Sequence, residues 1–306
     1  MIIDVQRRLA AVLFGMWLVF FIGCDKSPPP AKPVPSTPTN TSDSTGNAAP
    51  SKPAKPDKTD EPVLAGVGTI KGKVVFDGDP PGPKRISMAG NAQCANVHKQ
   101  NNNVDSKGRP KVADPGQIVY AKQSNTIPFV FVYIKEGIKK RYDPPKEPVV
   151  LDQVGCMYKP HVFGMIAGQG LDIRSSDPFT HNVHSLAKKN PGWNFSQPKP
   201  GLKEMRGNDT FTRQEIMIKI KCDVHGWMSS YCGVLYHPFF DVTKDHIEYP
   251  SSVAGNKEKW GTFEIKDVPA GNYVLEAWHE KFGTATMEVT LSGDETKEIE
   301  FKLGGS

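Results

Sequence analysis

The chain has 306 residues and a formal net charge of +5 at pH 7, with 38% hydrophobic and 23% charged side chains. This length allows one or two globular domains with additional tails. The single long apolar run lies near the N-terminus, so the composition excludes a protein that crosses a membrane many times. Lysine and arginine are spread among almost as many acidic residues, and we therefore expect no binding to nucleic acid.

The N-terminal segment has the pattern of an export signal. Arg7 and Arg8 precede an uncharged apolar run over residues 9–22, which is short for a membrane span and fits the core of a signal peptide. A transmembrane anchor is the alternative. The string Phe-Ile-Gly-Cys that ends at Cys24 resembles the cleavage site of bacterial lipoproteins. This resemblance implies a signal peptide over residues 1–23, a lipid on Cys24 and a location at the periplasmic face of a bacterial membrane.

Residues 24–62 are rich in proline, serine, threonine and lysine and contain almost no large apolar side chain. A segment of this composition cannot bury a core. We therefore predict a disordered linker that tethers the folded part of the chain to the lipidated cysteine and the membrane.

Beyond residue 62, short apolar runs alternate with Gly, Pro, Asn and Asp, which are typical of turns. The runs have the period of two that is typical of β-strands, and no convincing amphipathic helix is predicted. The predicted strands cover residues 69–76, 129–134, 149–151, 170–174, 182–186, 215–221, 260–268, 272–279, 285–291 and 297–303. The sequence therefore predicts an all-β fold of the sandwich type.

The last four predicted strands are separated by tight turns at residues 269–271 and 292–294, and we predict that they form an antiparallel meander. The string GTFEIKDVPAGNYVLEAWHE within them resembles the transthyretin-like β-sandwich modules called carboxypeptidase-regulatory-like domains. The string GTIKGKVVFDG, which begins at residue 68, resembles the start of such modules. The resemblance implies a scaffold over residues 256–304, completing a sandwich that begins before the central domain.

The central segment carries a set of metal-ligating residues. Cys222, His225 and Met228 lie in the string CDVHGWM, and His181 and His184 lie upstream in FTHNVHS. One thiolate, two imidazoles and one thioether suit a mononuclear copper site with a His₂Cys plane and a weak axial Met. Sulfur stabilises Cu(I), whereas imidazole also tolerates Cu(II), so this donor set predicts single-electron transfer.

In this segment the sequence resembles the cupredoxins, or blue copper proteins. The spacing Cys-x₂-His-x₂-Met and the upstream string His-Asn-Val-His are similar to those of the amicyanin and plastocyanin type. The resemblance implies that Asn182 holds the ligand loop around the thiolate. It also implies a single type 1 copper ion, with the ligands His181, Cys222, His225 and Met228.

These patterns divide the folded part of the chain into three segments. We assign N-terminal β-strands to residues 63–147 and a Greek-key, cupredoxin-like copper domain to residues 148–240. The carboxypeptidase-regulatory-like module follows at residues 256–304.

Only one of the two upstream histidines is expected to face the metal. Residues three apart on a strand point to opposite faces of the sheet, and we assign His181 as the ligand. A β-bulge between the two residues would reverse this choice in favour of His184.

The sequence argues against an enzyme. A binuclear copper centre needs a second cysteine shortly before the ligand histidine, and Asp223 and Val224 occupy those positions. A multicopper oxidase or nitrite reductase needs further histidine-rich ligand strings, which the sequence lacks. We expect an electron carrier that meets a donor and an acceptor protein. The alternatives are an envelope interaction module with a vestigial copper site, and a protein that stores or delivers copper.

The resemblance further implies that His225 lies near the surface, inside an apolar patch that contacts redox partners. Trp227 is the main candidate for this patch because it is held between two ligands in a short loop. Pro238, Phe239 and Phe240 are further candidates for the patch, and the alternative for Phe239 and Phe240 is that they belong to the core.

Three cysteines remain beyond Cys24 and Cys222. In an exported protein a disulfide is expected, and we favour Cys94 with Cys156 because Cys232 lies close downstream of the ligand loop. The alternative for Cys94 and Cys156 is a second metal site with His98 and His161.

Overall fold

The computed structural model describes residues 65–246 and 256–305. The predicted signal peptide, the lipidated Cys24 and the linker up to residue 62 lie outside these residues. In the part of the chain that is described, none of the helices has the length and apolar character needed to cross a bilayer. The described residues are nearly all β-structure, which confirms the predicted fold class.

The strands are numbered here in chain order. They are β1 (Val67–Phe76), β2 (Phe131–Glu136), β3 (Val149–Gln153), β4 (Tyr158–Lys159), β5 (Val162–Ile166), β6 (Leu171–Ser175), β7 (His181–Ser185), β8 (Trp193–Gln197), β9 (Lys203–Arg206), β10 (Glu215–Lys221), β11 (Ser229–Leu235), β12 (Phe240–Val242), β13 (Thr262–Pro269), β14 (Gly271–His279), β15 (Gly283–Leu291) and β16 (Thr296–Leu303). A single α-helix, α1 (Ala92–Gln100), and three short 3₁₀ turns at Pro115–Gln117, Ala121–Gln123 and Lys257–Lys259 accompany them among the described residues.

The period of two in the sequence places alternate side chains in the core. In β14, Tyr273, Leu275 and Ala277 are buried, whereas Val274 and Glu276 between them are half-buried. Burial of one face is the main gain from such a strand, because each buried aliphatic or aromatic side chain contributes about 1.5–3 kcal/mol.

The first sandwich packs the sheet β13-β1-β16 against the sheet β12-β2-β14-β15. Strand β1 lies between two C-terminal strands, antiparallel to β13 and parallel to β16. The segments 63–147 and 256–304 therefore contribute strands to the same two sheets. A glycine is required where β1 meets β16, because a Cβ atom on Gly72 would lie 1.8 Å from the carbonyl oxygen of Ile299.

The predicted C-terminal meander is wrong in its pairing. Strands β14 and β15 form an antiparallel hairpin, but β13 and β16 lie in the opposite sheet of the sandwich. The short turns at residues 269–271 and 292–294 carry the chain from one sheet to the other. The reason is that β1 supplies the pairing partner for both β13 and β16, a long-range contact that local alternation does not reveal.

The second sandwich packs the sheet β5-β11-β10-β7-β8 against the sheet β4-β3-β6-β9. Its strands all lie between β2 and β12 in sequence, so it is inserted into the first sandwich. The core includes Leu151, Tyr158, Ile173, Val183 and Phe211, all fully buried. This sandwich carries the candidate metal ligands.

The expectation that the fold lacks helices is wrong at α1. Asn91 caps the helix, with its Oδ1 accepting a hydrogen bond from the N–H of Cys94 at 3.0 Å. Only Cys94 and His98 are buried on it, so the helix carries too narrow an apolar stripe to be recognised from the sequence. A disulfide joins Cys94 to Cys156, which attaches α1 to the second sandwich.

Candidate metal centre

The segment 222–228 is a closed loop between two paired strands. The last residue pair of β10 and β11 is Lys221 with Ser229. Directly beyond it, the N–H of Cys222 donates to the carbonyl oxygen of Met228 at 3.0 Å. Within the loop, the N–H of Met228 donates to the carbonyl oxygen of His225 at 2.9 Å. These bonds hold Cys222, His225 and Met228 at the end of the hairpin that β10 and β11 form.

Strand β7 supplies the upstream histidine to the same end of the sheet. It pairs with β10, and His184 lies opposite Lys221. His181, Val183 and Ser185 are buried, whereas His184 is half-buried and bonds to Oδ2 of Asp223 through its Nδ1 at 3.0 Å. Strand alternation therefore directs His181 into the sandwich and His184 toward its surface.

Three candidate ligands converge in the interior. Nδ1 of His181 lies 3.1 Å from Nδ1 of His225, and the latter atom lies 3.6 Å from Sγ of Cys222. The three ligand atoms lie within 4.8 Å of one another. His181, Cys222 and His225 are each no more than 2% exposed. One ion at their centre would contact one sulfur and two nitrogen atoms.

The surroundings of Cys222 favour its thiolate. Burial on its own would raise the pKa of this thiol. Hydrogen bonds from His181 and from the backbone N–H groups of Asn182, His225 and Val224 outweigh burial and lower the pKa below its ordinary value. Because the thiolate is the form that binds metals, the protein prepares this sulfur for coordination.

The surroundings shift the pKa values of His181 and His225 in opposite directions. Burial would lower the pKa of His181, but hydrogen bonds with Asp177 and Cys222 raise it above the ordinary value. For His225, burial and the neighbouring His181 both lower the pKa. His225 is therefore held neutral, which is the form of imidazole that binds a metal.

Met228 and Asn182 complete the surroundings of the ligand loop. Met228 is 1% exposed and packs in the same apolar cluster as Cys222. Oδ1 of Asn182 accepts a hydrogen bond from the N–H of Asp223 at 2.5 Å, which ties β7 to the residue after the cysteine. The donor set is thus sulfur-rich, buried and attached to paired strands, a combination that fits a copper ion.

The aromatic residues considered for docking are less exposed than the sequence suggests, whereas Pro238 is exposed. Trp227 is half-buried, and its Nε1 donates to the carbonyl oxygen of Cys156 at 3.1 Å. Phe239 is 3% exposed and lies in the core of the first sandwich, and Phe240 packs against Phe131 with the two rings tilted. Val224 at the tip of the ligand loop is 56% exposed.

The alternative partners of Cys94 and Cys156 are engaged elsewhere. The two cysteines are joined by a disulfide. Nε2 of His98 bonds to the carbonyl oxygen of Gly155 at 2.9 Å, and Nε2 of His161 bonds to Glu280 at 2.6 Å. The second metal site considered for these two pairs is therefore absent from the described residues.

Sequence reasoning missed two residues that contact the ligands. Oδ2 of Asp177 accepts a hydrogen bond from Nε2 of His181 at 2.8 Å, and Nδ2 of Asn91 donates to Nε2 of His225 at 2.9 Å. Asp177 lies in a loop whose sequence resembles an ordinary turn, and no local pattern marks it. Asn91 comes from a distant part of the chain, and no local pattern connects it to the site.

Comparison with known proteins gives partial structural neighbours. No protein-family model and no curated protein matches the chain. A copper-containing nitrite reductase from Thermus scotoductus matches 34% of this chain and 25% of its own, with 22% identity and a TM-score of 0.26. A purple cupredoxin from Nitrosopumilus maritimus matches 28% of this chain and 98% of its own, with 16% identity and a TM-score of 0.23. An oxidised amicyanin variant matches 34% of this chain and 98% of its own, with 19% identity and a TM-score of 0.21.

Proposed function

We propose that this protein is an exported, membrane-tethered blue copper protein of the cupredoxin type, which carries single electrons between redox partners. The observation that carries the proposal is the convergence of Cys222 Sγ with Nδ1 of His181 and of His225 in a buried pocket. Met228, which follows on the same loop, would supply the weak axial sulfur.

The chain's own residues prepare the pocket for electron transfer. When bound, copper supplies a one-electron couple between Cu(I) and Cu(II). Of the proposed ligands, His181 lies on β7 and the other three lie on the loop between β10 and β11, and Asn182 ties that loop to β7. This rigidity holds sulfur and nitrogen atoms in one arrangement for both oxidation states, which keeps the reorganisation on electron transfer small.

Two further features support the cellular part of the proposal. The disulfide between Cys94 and Cys156 is typical of a protein that folds in an oxidising compartment, in agreement with an export signal and a lipid on Cys24. For docking we propose the face of the ligand loop, where Val224 is exposed and Trp227 is half-buried. We propose a carrier rather than an enzyme, because the ligand set leaves no position for a substrate.

Copper titration tests the proposal. Cu(II) added to the purified wild-type chain is expected to give an intense blue thiolate charge-transfer band that bleaches with a mild reductant. Cys222→Ser should abolish the band and keep the far-UV circular dichroism spectrum. Cys232→Ser is the matched control, because Cys232 is the other free, buried cysteine among the described residues and should leave the band unchanged.

The other outcomes favour the other functions. A chain that stays colourless supports an envelope interaction module. A chain that binds copper but releases it rapidly to a chelator supports storage or delivery. A band that survives in Cys222→Ser would show that the ligand assignment is wrong.

A further inference from the structure

The Cys94–Cys156 disulfide lies directly against the candidate metal centre. The Sγ atoms of both cysteines and a ring nitrogen of His225 lie within 4.8 Å of one another. The Sγ atom of Cys156 is also within 4.8 Å of a nitrogen of His181 and an oxygen of Asp177. Both cysteines are completely buried. The disulfide therefore lies beside two candidate metal ligands, His181 and His225.

The imidazole of His225 lies near both the thiol of Cys222 and the disulfide. Its Nδ1 faces Sγ of Cys222 at 3.6 Å. Its Nε2 faces the opposite way, toward Asn91 at 2.9 Å, and Asn91 caps the helix that carries Cys94. The ring therefore presents one nitrogen to the centre described above and the other to the residues around the disulfide.

Asp177 connects Cys156 of the disulfide to His181 through hydrogen bonds. Asp177, which accepts from His181, also accepts hydrogen bonds from the N–H groups of Gly155 at 2.7 Å and Cys156 at 2.8 Å. Cys156 has a left-handed backbone with φ of 55°, a conformation that residues other than glycine rarely adopt. Such conformations persist where the surrounding contacts hold them, and they are frequent at functional sites.

We infer that reduction of the Cys94–Cys156 disulfide creates a second metal site, in which the two thiolates and the imidazole of His225 bind Cu(I). Disulfide sulfur is a poor ligand, whereas thiolates are the ligands that Cu(I) prefers. Two thiolates and one imidazole give a three-coordinate, sulfur-rich site that lacks the axial Met of the first centre. This inference goes beyond electron transfer, because it gives the cap formed by α1 and residues 154–157 a role in metal binding.

An external dithiol supplies the electrons and protons that reduce the Cys94–Cys156 disulfide. Two electrons and two protons from the dithiol break the S–S bond and leave thiols on Cys94 and Cys156, while the dithiol becomes a disulfide. Binding of Cu(I) then releases the thiol protons, together with the remaining ring proton of His225 where copper also occupies the first centre. An external disulfide reverses the reaction, closes the S–S bond and removes both sulfur ligands. Access requires local opening of α1, a short helix with an exposed outer face.

The test uses the full chain with Cys222→Ala, which removes the thiolate of the first centre and retains Cys94, Cys156 and His225. The chain is reduced anaerobically with a small dithiol, which is then removed, and Cu(I) alone is titrated in competition with a chromogenic Cu(I) chelator. Reduction is expected to raise the Cu(I) affinity by on the order of tenfold or more. The matched control is the chain that carries both Cys222→Ala and Cys94→Ser. Treatment of this double variant with the dithiol should leave its Cu(I) affinity unchanged.

A further variant tests whether His225 is a ligand of the second site. In the reduced Cys222→Ala chain, a further His225→Ala change should lower the Cu(I) affinity by about tenfold. Equal affinities for the oxidised and reduced Cys222→Ala chains would overturn the inference. A reduced chain whose circular dichroism shows that it is unfolded with and without Cu(I) would overturn it as well, because the site requires a folded cap. The blue band of the oxidised wild-type chain tests the electron-transfer proposal separately.

Discussion

The carboxylate of Asp177 lies 2.8 Å from Nε2 of His181, on the side of the ring opposite to the nitrogen that faces His225. Burial would raise the pKa of Asp177, but hydrogen bonds from His181 and from the N–H groups of Cys156 and Gly155 lower it, so the carboxylate is ionised. An ionised acceptor holds the proton of His181 on Nε2 and leaves Nδ1 for the metal. The residue thus orients a candidate ligand and increases its basicity.

We expect Asp177→Asn to raise the reduction potential of the bound copper. A basic imidazole stabilises Cu(II) more than Cu(I), and loss of the negative charge weakens that preference. A tenfold change in the preference corresponds to about 60 mV, which a redox titration of the blue band measures. Glu298→Gln, at an exposed carboxylate of the first sandwich, is the control and should leave the potential unchanged. An unchanged potential in Asp177→Asn would remove this residue from the site.

Met228→Leu tests the axial ligand. The variant should still bind copper through the three remaining ligands, and its reduction potential should shift because the axial ligand tunes the potential of such a site. We expect a shift on the order of 60 mV, measured by the same titration. Met165→Leu is the control, since Met165 is another fully buried methionine of the same sandwich core. Equal potentials for the two leucine variants would mean that Met228 is only a core residue.

The alternation of apolar residues predicted most of the strands, whereas the way in which the strands assemble was harder to predict. Alternation in β13 and β16 indicates two strands with one buried face, and the structure contains both. Their common partner β1 lies roughly two hundred residues or more away in the chain, so the pairing depends on contacts that a local pattern does not contain. The same holds for the insertion of the second sandwich between β2 and β12.

The site was predictable to the extent that its residues form compact strings. His181 and the loop from Cys222 to Met228 are recognisable because metal chemistry restricts both residue type and spacing. Asp177 and Asn91 were not recognised, since an aspartate in a turn and an asparagine before a helix are common in all proteins. Their roles follow from distances to imidazole nitrogens, which exist only in the folded chain.

Asn182→Ala tests the attachment of the ligand loop. The substitution removes the acceptor for the N–H of Asp223, and loss of one such hydrogen bond should lower the free energy of unfolding by about 1 kcal/mol. Copper should also dissociate faster, because the loop that carries Cys222 is less firmly held. Urea denaturation and transfer of copper to a chelator measure the two effects. Asn96→Ser, on the exposed face of α1, introduces a residue of similar helix propensity and should change neither quantity.

A buried carboxylate joins the two sandwiches. Glu280 follows β14 of the first sandwich, and its two oxygens bond to Nε2 of His161 at 2.6 Å and to the hydroxyl of Tyr231 in β11 at 2.8 Å. Burial would raise the pKa of Glu280, but the hydrogen bonds and charge of His161 and the hydroxyl of Tyr231 lower it to about 2. The folded chain therefore favours the ionised carboxylate strongly.

Glu280→Gln should destabilise the metal-free chain in a pH-dependent manner. In the unfolded chain this carboxyl titrates near its ordinary pKa of 4.5, so between that value and about 2 only the unfolded chain binds the proton. The contribution of Glu280 is complete above pH 4.5, where it amounts to about 3 kcal/mol, and it disappears as the pH falls toward 2. Urea denaturation at pH 7 and near pH 2.5 should show a large difference between wild type and variant only at pH 7. Glu288→Gln, at an exposed residue of β15, is the control, and a difference that persists at low pH would contradict the proposed role of the ionised carboxylate.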